Sequence, residues 1–330
     1  MRALLCKAYG PPSSLKVEEV ETPIPGVGEI AIEVEACGVN FPDTLTILGQ
    51  DQYHPPLPFS PGGEYAGTVV ALGQGVEEFA VGDRVLTGTV WGGMREVAVA
   101  PVRNSYKIPA NMDFLTASVF LCAYGTAYHC LVDRARLQPG ETMAVLGASG
   151  GVGSALIQVG KILGARVIAC ASTDEKLAYC TGLGADDVVN YTKEDLKTRL
   201  KELTGGGGVD VCCDPVGSDY SEAGLRATGW GGRFMVLGFT AGSIPKIPTN
   251  LPLLKGNSIM GVFWSTSTRK QPEQNRANTQ RLLEFYQQGK LKPSVYKTYP
   301  LEDAPKALQD VLERKVQGKI SILIGRTQPK

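Results

Sequence analysis

The chain has 330 residues, 43% hydrophobic and 20% charged, with 33 basic side chains against 33 acidic ones. That length suits about two domains. Zero net charge provides no long-range attraction to nucleic acid or an anionic membrane. The longest uncharged apolar run, around 117–123, falls well short of the ~20 residues that span a bilayer. No basic segment followed by an apolar signal core opens the sequence, so a soluble, cytoplasmic protein is expected.

From the start to about 109, short extended segments are broken by Pro and Gly. Ile30, Ile32 and Val34 alternate with Glu29, Glu33 and Glu35, which predicts a half-buried strand over 29–36. Further strands are expected over 67–72, 84–86 and 96–99, bounded by turn residues. Together they predict a compact, partly open β-barrel. From about 122 to 263 the rhythm changes. Strands over 143–146, 167–171, 188–190, 209–213 and 234–237 alternate with helices over 152–163, 175–181, 194–203 and 220–226, which implies a parallel sheet covered on both faces. Helices over 274–288 and 302–314 and a strand over 320–324 close the chain. The eight cysteines form no C-x-x-C pair, so they read as small buried hydrophobes in a reducing compartment.

The strongest motif is Val145-Leu146-Gly147-Ala148-Ser149-Gly150-Gly151-Val152-Gly153, between an apolar strand and an apolar-periodic helix. That is the context of the dinucleotide fingerprint. Ala148 takes the place of the first glycine, Gly150 permits close phosphate approach, and Gly153 permits helix–strand packing. Ala148, Ser149, Gly150, Gly151, Val152 and Gly153 are therefore cofactor candidates. The second strand ends in Ala171 where an NAD site carries an acid that binds the ribose 2′-hydroxyl. Ser172 and Lys176 follow it, and NADPH is the expected cofactor. Lys176 can equally be an ordinary solvated lysine. Tyr191, after the third strand, either closes the same pocket or is a surface aromatic. Asp174 and Glu175 read as first-turn acids at the positive end of a helix.

With Cys37-Gly38-Val39-Asn40-Phe41-Pro42-Asp43, Pro61-Gly62-Gly63-Glu64-Tyr65-Ala66-Gly67, Gly82-Asp83-Arg84-Val85 and Asp214-Pro215-Val216-Gly217, the chain resembles the medium-chain dehydrogenase/reductase superfamily. Within it the resemblance is to the zinc-independent quinone oxidoreductases. It implies an α/β fold, a GroES-like barrel with an inserted Rossmann domain, divided as 1–122, 123–264 and a return over 265–330. Asn40, Gly63 and Cys122 stand where alcohol dehydrogenases of the superfamily carry zinc ligands, and the structural zinc lobe is missing. Since Zn²⁺ needs about four donors, no metal is expected.

Without zinc to steady an alkoxide, the resemblance points to substrates that delocalise charge themselves, quinones and α,β-unsaturated carbonyls. Asn40 is the candidate hydrogen-bond donor to substrate or to the nicotinamide ribose, against a structural amide in a turn. Tyr53 lies where related reductases place a substrate-facing tyrosine, against a surface loop aromatic. Asp43 reads as a structural acid. Gly238, Phe239 and Phe263 follow the carboxyl ends of late strands, where ligands bind. Trp264, with Trp91 and Phe263, forms an apolar wall or packs a core. Lys319 and Arg326 add positive charge around phosphate, and His54 and His129 read as structural. The leading function is an NADPH-dependent quinone oxidoreductase. The alternatives are an enone or enoyl-thioester reductase and an NADPH-binding protein with little turnover. The apolar segment 258–264 suggests an edge strand and, by analogy, a homodimer.

Overall fold

The computed structural model describes residues 1–325, so Arg326 lies outside the described residues. Contacts divide the chain into two units, Met1–Cys122 together with the chain from Pro293 onward, and Ala123–Lys292.

The first unit opens with an antiparallel pair, β1 (Arg2–Leu5) and β2 (Lys16–Glu19). The alternating segment becomes β3 (Glu29–Val39), longer than its sequence pattern suggests, with Ile30, Ile32 and Val34 fully buried. β4 (Glu64–Leu72), β5 (Arg84–Gly88), β6 (Val97–Pro101) and β7 (Ser105–Lys107) complete the early strands. β3 pairs antiparallel with both β4 and β6, so it forms the spine of the barrel.

In the second unit β8 (Thr142–Leu146), β9 (Arg166–Ala171), β10 (Asp187–Asn190), β11 (Val209–Asp214), β12 (Thr228–Val236) and β13 (Ser258–Gly261) make one sheet. Its order is β10-β9-β8-β11-β12-β13 and every neighbouring pair is parallel. This is the doubly wound arrangement, with the order reversing between β8 and β11. Met143, Ala144, Val145 and Leu146 are all fully buried, as strands covered on both faces require.

The sheet corrects two sequence expectations. β13 stops at Gly261 because a helix begins at Trp264. The chain leaves the second unit after Lys292 rather than after 264. The helix Pro272–Gln287 buries Leu282, Leu283 and Phe285. Trp264 Nε1 donates to Asn275 at 3.1 Å and Asn278 Nδ2 donates to Asp133 at 2.8 Å. These ties keep the helix with the nucleotide-fold unit.

The closing strands β14 (Val295–Pro300) and β15 (Lys319–Leu323) return to the first unit, where β15 lies antiparallel to β3. That pairing sets Ile320 opposite Val39 and brings Lys319 beside Asn40. Among the described residues, no helix is long and apolar enough to cross a membrane.

Candidate functional site

The loop after β8 turns at Gly147, whose φ is +56°. Gly150 donates its N–H back to Gly147 O at 3.0 Å and caps the helix Gly151–Ile162. The N–H groups of that first turn have no acceptor inside the helix and carry the positive end of its dipole. Ala148 and Ser149 are buried beneath the turn. A Cβ on Gly153 would stand 2.5 Å from Gly147 O and 2.7 Å from Ala148 Cα, so the helix can approach the strand this closely only with glycine there. A Cβ on Gly150 would meet nothing nearer than 3.4 Å. The space in front of that backbone is open, as an approaching phosphate needs.

At the end of β9, Ser172 and Lys176 are half-buried. Thr192 Oγ1 donates to Ser172 O at 3.1 Å, so the third strand's turn closes against the second. Tyr191 stacks at a tilt on Tyr220, ring centres 4.6 Å apart. Asp174 is not simply a helix-end acid. Its carboxylate accepts from Lys193 Nζ and from Asn190 Nδ2, both at 2.6 Å. Sequence reading missed Lys193 and Asn190 because they belong to the next βα unit, Asn190 at the end of β10 and Lys193 in the connection after it.

Beyond β11, the Asp214 carboxylate accepts N–H groups from Val216 at 2.8 Å and Gly217 at 2.9 Å and the hydroxyl of Ser221. Burial pushes its carboxyl up, against those bonds. It shapes the loop on which Gly217 packs against Phe239. Gly238 and Phe239 are half-buried beyond β12, and Phe263 is 44% exposed beyond β13. Trp264 lays its indole over Gly125, where a Cβ would fall 2.7 Å from the ring.

The first unit holds a separate polar cluster where β3, β4 and β15 meet. Lys319, 7% exposed, donates from Nζ to Val39 O at 3.1 Å, to Glu64 Oε2 at 3.3 Å and to Asn40 Oδ1. Asn40 Nδ2 donates to the same Glu64 oxygen at 3.0 Å, and Cys122 N donates to Glu64 Oε1 at 2.9 Å. The buried Asp43 carboxylate accepts from Asn40 N at 2.7 Å and Gly63 N at 3.0 Å. Burial raises its carboxyl to about 6, and the two N–H groups oppose that rise. Tyr53 is half-buried in the loop after the helix Phe41–Ile47.

Of the three positions that correspond to zinc ligands, Asn40 and Cys122 thus bond the Glu64 carboxylate, whereas Gly63 bonds that of Asp43. Their donors do not suit the ion. A Cβ at Gly63 would lie 2.9 Å from Thr89 O, which leaves no room for a longer side chain. The Lys319 ammonium already occupies the oxygens of Asn40 and Glu64. Among the described residues, no cluster of three or more His, Cys, Asp or Glu is placed to hold a metal. Glu64 is a member of this cluster that sequence reasoning missed. The available signal was a carboxylate inside a buried apolar strand, which demands a cation.

Two families match the chain, described as alcohol dehydrogenase GroES-like domain over residues 26–110 and zinc-binding dehydrogenase over residues 151–284. Quinone oxidoreductase-like protein 2 of Mus musculus is 38% identical over 320 residues, 97% of this chain and 91% of its own length. A mycobacterial protein solved with NADPH has a TM-score of 0.92 at 32% identity, covering 98% of this chain and 100% of that one. The quinone oxidoreductase of Escherichia coli, also solved with NADPH, has a TM-score of 0.90 at 29% identity, with coverage of 98% and 100%.

Proposed function

The chain belongs to the medium-chain dehydrogenase/reductase superfamily, of the quinone oxidoreductase type, and from that premise we propose that it is an NADPH-dependent reductase of quinones that works without a metal. Ala148, Ser149, Gly150, Gly151, Val152 and Gly153 would hold the diphosphate on backbone N–H groups. Ser172, Lys176 and Tyr191 would take the adenosine end, and Gly238, Phe239, Phe263 and Trp264 the nicotinamide end. Bound there, NADPH supplies hydride. The NADPH complexes of the mycobacterial and E. coli relatives support this choice.

One observation carries the metal-free reading. The oxygens of Val39, Asn40 and Glu64 are already satisfied by an ammonium, that of Lys319. Zinc needs about four donors, and a dication beside this ammonium would be repelled. Interconversion of simple alcohols and ketones then lacks its electrophile. A quinone spreads incoming charge over its own ring, and a hydrogen bond from Asn40 steadies the developing oxyanion. Tyr53 would supply a hydroxyl as a second donor, and as a proton donor it would matter more to an enone.

Steady-state turnover of 1,4-benzoquinone beside a 2-alkenal tests the assignment. Faster quinone reduction, without stoichiometric zinc by elemental analysis, supports it. Turnover of the alkenal alone, reduced by Tyr53→Phe, moves the chain to the enone reductases. NADPH binding with no turnover of either makes it a binding protein.

The eight unbridged cysteines support a reducing, cytoplasmic setting, which cell fractionation checks. The open edge at β13 supports a homodimer. Exposed side chains near it in the chain include Trp230 (83%) and Leu253 (80%).

A further inference from the structure

We propose that Lys319 and Glu64 act as positioning residues that lock the Asn40 amide so it offers a substrate oxygen a hydrogen-bond donor and never an acceptor. The inference rests on the reductase reading and gives it a specific recognition element.

The lock follows from the partners. All three ammonium protons of Lys319 are committed, to Val39 O, Asn40 Oδ1 and Glu64 Oε2. Glu64, 2% exposed, is fixed on its other side by Cys122 N. The Asn40 backbone is held as well, its N–H on Asp43. An amide turned over would press NH₂ against the ammonium and the carbonyl oxygen against the carboxylate. Both contacts are repulsive, and both groups are too buried for water to screen them. Only one orientation remains.

In that orientation Oδ1 is occupied and one of the two Nδ2 protons is on Glu64. The second Nδ2 proton makes no hydrogen bond among the described residues, and Asn40 is half-buried rather than sealed. What the residue can present to a ligand is therefore a single N–H. The ammonium on Oδ1 also draws density from the amide, which strengthens that donor. Such a group discriminates by charge. It binds a carbonyl oxygen and binds it better as negative charge develops there, the differential interaction that accelerates a reaction. Lys319 thus acts through Asn40, not as the phosphate ligand its sequence position suggests.

The decisive variant is Lys319→Met/Glu64→Gln. It removes both charges of the Lys319–Glu64 pair and leaves the Asp43 carboxylate on the N–H groups of Asn40 and Gly63, and exchanging a buried pair together is often close to neutral for folding. The new carboxamide keeps an acceptor for Cys122 N–H and turns its NH₂ toward Asn40, so the Asn40 amide should flip and present oxygen. With 1,4-benzoquinone, kcat should fall ~10²-fold, as on removal of one oxyanion donor, while KM for NADPH stays unchanged. Added to Asn40→Ala, the double change should cost nothing further, because both act through one group. Unchanged kcat, additive losses, or weakened NADPH binding at intact kcat would each overturn the proposal. If the double variant does not fold, Asn40→Asp keeps the Lys319 contact and removes the donor, with the same expectations.

Calorimetric binding of 4-nitrophenolate, an oxyanion probe, needs no turnover. It should bind the wild type and weaken in both Lys319→Met/Glu64→Gln and Asn40→Ala. Equal binding by all three proteins, or none by the wild type, rejects the lock. A wild type inactive toward quinone and alkenal would reject the reductase reading alone, and the phenolate result would still decide the amide.

Discussion

The Asp174 carboxylate accepts a hydrogen bond from the Lys193 ammonium at 2.6 Å, across the corner where an NAD site would carry a free acid. Lys193, then Asn190, hold that carboxyl below the usual range. An acid at this corner repels a 2′-phosphate when bare. Once paired with Lys193 its charge is offset, and Lys176 adds positive charge two residues further along the same helix.

The coenzyme preference should follow from that pairing. The wild type should bind NADPH more tightly than NADH in a calorimetric titration. Lys176→Ala should lower NADPH affinity several-fold and leave NADH affinity nearly unchanged. Lys193→Ala should do the same by baring Asp174, and adding Asp174→Asn should restore part of the loss. Both ion-pair partners are exposed, so the effect should shrink as salt rises. Equal wild-type affinities for the two dinucleotides would remove the basis for choosing NADPH.

Two glycines of the proposed phosphate loop should separate folding from binding. Gly153→Ala places a Cβ 2.5 Å from a backbone carbonyl oxygen, and backbone cannot yield as a flexible side chain does. A loss of ~1–3 kcal/mol in urea unfolding is expected, with weakened NADPH binding. Gly150→Ala meets only one ordinary contact at 3.4 Å, at a φ of −78° that alanine accepts. Its stability should stay near wild type while NADPH affinity drops, because the methyl enters the space a phosphate would fill. Unimpaired NADPH binding by Gly150→Ala would place the diphosphate elsewhere.

These two sites also show what the sequence can carry. The candidate phosphate loop is local, with strand, turn and helix contiguous in the chain, so spacing alone predicts its shape. The same holds for β3, whose alternating Ile30, Ile32 and Val34 declare its buried face. Lys319 is the opposite case. Its partners Asn40 and Glu64 lie 279 and 255 residues away, and only the pairing of β15 with β3 joins them. From sequence it is a cation near a terminal strand, so phosphate is the natural guess. The helix Pro272–Gln287 misled for a related reason. Its periodicity shows that it buries a face, but not which unit receives that face.

The open edge of β13 yields a prediction about assembly. Its sheet ends there, and Ile259 on that strand is 43% exposed. Unpaired strand edges invite pairing with a second copy unless charge blocks them. Sedimentation velocity should show a dimer, and Ile259→Lys should shift it toward monomer without changing the far-ultraviolet circular dichroism. A monomeric wild type at micromolar concentration would reject pairing at this edge.

Asp43 gives the clearest dependence on pH. Burial raises its carboxyl from 3.8 to about 6, although the N–H groups of Asn40 and Gly63 favour the ionised form. The folded chain therefore binds this proton more tightly than the unfolded chain does. Its stabilising contribution is fully present below pH 3.8 and is lost as pH rises through about 6, a change on the order of 3 kcal/mol. Asp43→Asn cannot ionise and should lack this loss. Urea unfolding of wild type and variant across the interval tests it, with the wild type losing ground relative to the variant as pH rises. A constant difference between the two would show that the carboxyl titrates alike in both states. The loss also bears on the site, because the ionised carboxylate is the form that accepts both N–H groups most strongly. Near neutral pH the chain would thus give up some stability to hold the Asn40 backbone firmly in place.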